Sequence, residues 1–360
     1  MPKIDQLLDT VQKLRATDLH LVAATTPMVR VNGNLEKTRH RQLTENDIKN
    51  LMYEIMTDDQ IRKFERSGNL DFSYGIEGRI RVRLNIYKTY AGMATAIRLI
   101  PESPTDLLSL GFSNSVREIA ASRSGLVLVT GPTNSGKTTT LAAMIDHINT
   151  HLSRHIITLE DPIEYIHHNK NSLISQRQIG LHAETFAAAL RAALREDPDV
   201  IMVGEMRDVE TISLAVTAAE VGLLVFGTLH TCSAAATIDR IIDVFPSERQ
   251  QQIRIMLADS LQAVISQQLL RRADGRGRIA AYELLIHSTS ISSLIREQKT
   301  HQIPNVIQTS RKIGMQLLDH HLKTLVDSAL VEPREAAKVA VDPSPFLEKT
   351  TLKKESYAGV

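Results

Sequence analysis

The sequence predicts an α/β protein in two parts. A small α+β domain with an antiparallel sheet comes first, then a larger domain of alternating strands and helices with a helical extension at its C-terminal end. Three observations carry this. Residues 126–140 read LVLVTGPTNSGKTTT: an apolar run, a glycine-rich loop and a helix-like segment, in that order. From there to residue 229 short apolar runs alternate with helix-like ones, as in a parallel sheet covered on both faces. Residues 70–99 instead alternate polar and apolar side chains, the pattern of a sheet with one wet face.

Taken in order, Ile4, Leu7, Leu8, Val11 and Leu14 have helical spacing. Segments 18–21 and 28–31 read as strands, with Asn32-Gly33 as a hairpin turn. Thr44 begins a helix through Met56, and segments 70–74, 80–84 and 93–98 are strands. Pro101, Pro104 and Gly111 break the pattern, which places a linker at 100–111 between a domain at 1–99 and one at 112–345. In the second domain strands are expected at 126–130, 155–160, 200–203 and 224–229, and helices at 138–150, 185–196 and 209–220. Segment 248–270 reads as one helix, with Ile253, Met256, Leu257, Leu261, Val264 and Ile265 on one stripe. Further helices run to about 340, and 346–360 reads as a disordered tail.

Composition narrows the function. The 360 residues carry a formal net charge of +1 and only 4% aromatics, which gives a nucleic-acid motor neither a basic groove nor a stacking platform. Cys232 is the only cysteine, so no intramolecular disulfide or multi-cysteine metal site can form, and a reducing cytoplasm fits. Its expected role is a small packed thiol. Asp5 and Asp9 interrupt what would be the apolar core of a signal peptide, and no apolar run approaches the roughly 18 residues of a membrane helix.

The loop Gly131, Pro132, Thr133, Asn134, Ser135, Gly136, Lys137, Thr138 fits G-x-x-x-x-G-K-[ST]. A triphosphate is a dense anion that needs many donors at short range. Glycines let successive N–H groups face it, and the helix that begins near Thr139 adds its positive end. Lys137 supplies a point charge for the β- and γ-phosphates, and Thr138 a hydroxyl for Mg²⁺. Asn134 tolerates a left-handed backbone. ATP and Mg²⁺ are the expected ligands of a RecA-like P-loop domain.

Three strand ends add chemistry. Segment 199–205 is an apolar strand that ends on Glu205, the candidate for polarising the attacking water and for holding the metal. Segment 157–164 ends on Glu160, Asp161 and Glu164, acids whose mutual repulsion a cation or donors would offset: Glu160 and Asp161 are candidates for Mg²⁺, and Glu164 for a catalytic role towards water. Segment 227–231 ends on His230, placed to sense the γ-phosphate or carry a proton.

These residues resemble a known family. ITLEDPIEY at 157–165, ALREDPDVIMVGEMRD at 193–208 and FGTLHT at 226–231 are similar to the secretion-type ATPases, most of all to the PilT-type pilus retraction ATPases. Thr17 to Leu21, Arg240 to Pro246 and Met315 to Asp319 extend the resemblance over nearly the whole chain. It implies a hexameric ring with nucleotide at each subunit boundary, and a PAS-like N-terminal domain that lends arginines to the γ-phosphate. Arg81, Arg83 and Arg98 fall in the matching strands. The implied partners are an inner-membrane pilus platform protein and, through it, pilin. The implied place is the cytoplasm, peripheral to the inner membrane, and the implied task is pilus retraction, with an accessory or regulatory retraction paralogue or a type II secretion motor as alternatives. Leu223 stands where such proteins commonly carry histidine, and Ser290 to Glu297 keeps the apolar spacing of their C-terminal motif while serines replace its first arginine and asparagine.

Overall fold

A computed structural model describes residues 2–14, 16–31, 33–76, 80–100 and 104–348. The chain divides into two compact units, Met1–Ser103 and Pro104–Val360. Of the expected linker, 101–103 lies outside the described residues, while Leu107 is fully buried in the second unit's core.

In the first unit helix α1 (Lys3–Lys13) precedes strands β1 (Asp18–Val22), β2 (Met28–Val31) and β3 (Asn34–Lys37). Helices α2 (Glu45–Tyr53) and α3 (Asp58–Ser67) and strands β4 (Asn69–Ile76), β5 (Ile80–Thr89) and β6 (Gly92–Ile100) follow. The sheet has the order β3-β2-β1-β6-β5-β4, and every pair is antiparallel. Alternate residues such as Leu19, Leu84 and Ile97 face one core with Ile4, Leu8, Met52 and Phe64 of the helices. Asn32 of the expected hairpin turn lies outside the described residues; Gly33 has φ 87°. Segment 44–56 stops short at Tyr53, and a separate α3 follows, because Thr44 and Thr57 each close a capping box.

The second unit opens with α4 (Asn114–Ala120), β7 (Gly125–Thr130), α5 (Lys137–His151), β8 (His155–Glu160), β9 (Leu173–Gln178) and α6 (Phe186–Ala193). It continues with β10 (Val200–Val203), α7 (Val209–Glu220), β11 (Leu224–Leu229), α8 (Ala234–Asp243), α9 (Ser247–Ser260), β12 (Leu261–Arg271) and β13 (Arg278–Ile286). Helices α10 (Thr289–Arg296), α11 (Ile303–Thr309), α12 (Leu318–Asp327) and α13 (Pro333–Ala337) end it. The sheet order is β13-β12-β7-β11-β10-β8-β9, parallel except for β13. Leu126, Leu128, Ile201 and Val203 face one core, and Val127, Val129, Val200 and Met202 the other. Both faces are covered, which explains the continuous apolar runs.

Segment 248–270 is not one helix. The helix ends at Ser260, and β12 lies parallel to β7, with Ser266 opposite Thr130. Val264 and Ile265 enter opposite cores, which one helical stripe could not achieve. An open edge on β7 would leave a row of backbone groups unpaired in the middle of the protein, and this outweighs the helix-like spacing. Segment 278–286, expected among the helices, is strand β13 for the same reason: it pairs along nearly all of β12. The expected tail begins too early, since Phe346 is buried with Leu322 and Leu325 of α12; residues 349–360 lie outside the described residues.

Phe64 is 1% exposed beneath the first unit's sheet. Phe64→Ala is expected to cost about 3–5 kcal/mol, read as a lower midpoint in chemical denaturation of the purified protein.

Candidate functional site

The sheet register assembles the site. Thr130 lies opposite Leu229, Gly227 opposite Val203, and Val203 opposite Leu159. The residues that follow these strands therefore leave one carboxyl edge, where open α/β sheets bind ligands. They are the loop from Gly131, then His230, Glu205 and the acids from Glu160.

Gly131 has φ 141°, and a Cβ there would meet the Gln267 carbonyl oxygen at 2.2 Å, so the loop starts where only glycine fits. Asn134 is left-handed at φ 66°, and Gly136, at φ 91°, is the N-cap of α5. Lys137 Nζ donates to the carbonyls of Gly131 (2.8 Å) and Pro132 (3.0 Å), so its charge sits inside the curl of the loop. Burial pushes the Lys137 pKa down, against the attraction of Glu205 and Cys232. Ser135 Oγ is buried with no hydrogen-bond partner. A free buried hydroxyl, a caged ammonium and a helix N-terminus together fit a phosphate chain. Thr133 and Thr138 are exposed, and Thr139 Oγ1 is 3.2 Å from the Tyr165 hydroxyl.

Gln267 stands in β12, where the helix-like spacing of the sequence hides its role. Its Nε2 donates to the Ser135 carbonyl at 2.6 Å, and its Oε1 accepts from Thr140 Oγ1 at 2.9 Å. One buried amide thus clamps the loop to the first turn of α5. The polar run Ser266-Gln267-Gln268 inside an apolar strand was the available signal.

Glu205 accepts from His230 Nε2 at 2.7 Å and from Arg207 Nε at 2.5 Å. Burial alone would raise the Glu205 pKa; the hydrogen bonds from Arg207 and His230 outweigh it and hold the carboxylate below its ordinary range. Arg207 was not singled out in the sequence, where it reads as one of many surface cations. Glu160 is turned inward: it accepts from Thr158 Oγ1 (2.7 Å) and Gln176 Nε2 (3.0 Å), and burial drives its pKa up. Asp161, on a cis bond to Pro162, is exposed, and Glu164 is half-buried. Among the described residues no cluster of three or more His, Cys, Asp or Glu could hold a metal by itself. Cys232 is exposed in the loop before α8 rather than packed as expected.

Arg81, Arg83 and Arg98 gather on one face of the first unit's sheet, Arg83 directly opposite Arg98. Arg98 Nε lies 2.9 Å from Asp18 and Arg83 3.8 Å from Asp71. Leu223 is partly buried against the second unit's core. In α10, Ser292 Oγ donates to the Ala258 carbonyl and Arg296 pairs with Asp259, so one serine of the altered motif and its retained arginine bind α10 to α9.

A phosphate loop and an ionised carboxylate on one edge of a parallel sheet define a P-loop nucleotide protein, and the chain belongs to the type II/IV secretion system protein family, whose profile matches residues 1–337. It is 47% identical to the type IV pilus retraction ATPase PilT of Pseudomonas aeruginosa, over 95% of this chain and 99% of that protein. A twitching motility protein of Neisseria gonorrhoeae is 48% identical, over 89% of this chain and 85% of its own. The crystal structure of the pilus retraction motor PilT with bound ADP superposes with a TM-score of 0.87 at 44% identity, covering 94% of this chain and 97% of that one. Among the described residues no helix is long and apolar enough to cross a membrane.

Gln267→Ala removes both bonds of the clamp; a loss of about tenfold in affinity for a fluorescent ATP analogue is expected from two hydrogen bonds of ordinary strength. Arg207→Ala removes a bond that holds Glu205 ionised. The carboxylate should then protonate at higher pH, and the acid limb of any Glu205-dependent activity should move upward in a pH–rate profile.

Proposed function

We propose that the chain is a magnesium-dependent ATPase that powers type IV pilus retraction. It would work as a hexameric ring at the cytoplasmic face of the inner membrane, on a membrane platform protein and through it on pilin. One observation carries the reading: the phosphate loop and the Glu205–His230 pair share a sheet edge, in a chain similar to a retraction ATPase over nearly its whole length.

ATP would lie with its phosphates on the amides from Gly131 to Thr139, near Ser135 Oγ and the Lys137 ammonium. Glu205 would take a proton from the attacking water, with His230 holding the carboxylate in place and Glu164 beside the second acidic strand end. Magnesium, at Thr138 with Glu205 and the Glu160–Asp161 pair, would supply positive charge against the phosphates. The exposure of Asp161 favours it over buried Glu160 for that contact. The first unit, as a PAS-like domain, would bring Arg81, Arg83 and Arg98 towards nucleotide held by a neighbouring copy, where a rigid cation best offsets charge on the transferred phosphoryl group. Closing and releasing that contact would be the work stroke.

Lys137→Ala should abolish nucleotide binding, while Glu205→Ala should keep binding and lose turnover by at least about a hundredfold, measured by phosphate release. Normal hydrolysis in both variants would refute the site. In cells, deleting the gene should abolish twitching and leave surplus pili; loss of protein export instead would mark a secretion motor.

A further inference from the structure

Strand β13 carries an acid that the reaction described above does not use. Glu283 is 7% exposed, and its Oε1 accepts from the amide of Ala234, the first residue of α8, at 2.7 Å. That amide is one of the donors a helix leaves unpaired at its start. The N-cap side chain of Ser233 serves Ala236 instead. Burial pushes the Glu283 carboxyl up, with the Ala234 amide working against it. Burying an acid is costly, and the bond to an unpaired amide at the positive end of a helix offsets part of that cost.

The sheet explains the position. Glu283 lies opposite Ser266, Ser266 opposite Thr130, and Thr130 opposite Leu229, one row across four strands. The first turn of α8 sits over this row, with Thr237 Oγ1 3.5 Å from Thr130 Oγ1. Thr231 Oγ1 is 2.7 Å from Thr237 Oγ1, and Thr237 Oγ1 donates to the Ser233 carbonyl at 2.7 Å. The loop from Thr231 to Ser233 is therefore bound to that turn, and its preceding residue is His230, 2.7 Å from Glu205.

We propose that Glu283 is a positioning residue for ATP hydrolysis: by holding the first turn of α8 on the sheet it keeps His230 aimed at Glu205. This rests on the function proposed above. It also makes β13, which runs on into α10, part of the support of the catalytic pair.

The test is a double-mutant cycle on the full-length protein, read by single-turnover hydrolysis so that slow rates stay measurable. Glu283→Ala should lower the rate about tenfold and Glu283→Gln, which keeps an acceptor but loses the charge, about threefold, with affinity for a fluorescent ATP analogue within about twofold of wild type. In a His230→Ala background neither substitution should lower the rate further, because the residue through which Glu283 acts is gone. The Gln variant, equal in volume, carries the test if the Ala variant fails to fold. A wild-type rate in either folded variant, or losses that multiply with that of His230→Ala, would overturn the inference. A wild-type protein that binds and hydrolyses no ATP would overturn the underlying reading, and this one with it.

Discussion

The parallel register of β7, β11, β10 and β8 is the constraint on which the rest depends. Each strand is too short to place chemistry by itself: β10 has four residues. Hydrogen-bonded side by side, the four release their following residues at one edge. The strand order sets β11 between β7 and β10, so His230 emerges beside Glu205 and both stand next to the loop. The two apolar cores hold this register fixed, because a slip by one residue would exchange every side chain between them.

Electrostatics then differentiates acids that look alike. Glu160 ends β8 and Glu205 follows β10, apolar neighbours in the same sheet. Glu205 meets two nitrogen donors that outweigh its burial, and it stays ionised. Glu160 meets a hydroxyl and an amide, which do not outweigh nearly complete burial, and its pKa rises. Two carboxylates at neighbouring strand ends are thus prepared for different protonation states by their burial and their partners together.

The sequence announced much of this. The loop from Gly131 to Thr138 was legible because its pattern depends on local backbone geometry, and strands β7, β8, β10 and β11 were legible because their apolar runs are short and bounded by turns. What stayed hidden depends on partners distant in the chain. Leu261 to Ile265 suit a helix and a strand equally well, and the choice falls to strand only because β7 has an edge to fill. With β12 misread, Gln267 had no reason to matter. Arg207 is a different case: its partner Glu205 is only two residues away, but a cation near a carboxylate in a loop has no pattern that sets it apart from other surface arginines. The inward turn of Glu160 was equally hidden, since Gln176 comes from an edge strand that the sequence reading did not separate.

The clamp on the phosphate loop joins residues 132 positions apart, Ser135 and Gln267. On a ribosome the loop emerges long before the strand that supports it. A nascent chain stalled anywhere in that interval has the glycine-rich segment, and even the acid and histidine strands, without the amide that gives the loop its shape. Competence to hold a nucleotide therefore arrives only once β12 has been made, as a property of the assembled sheet rather than of the segment that bears the motif.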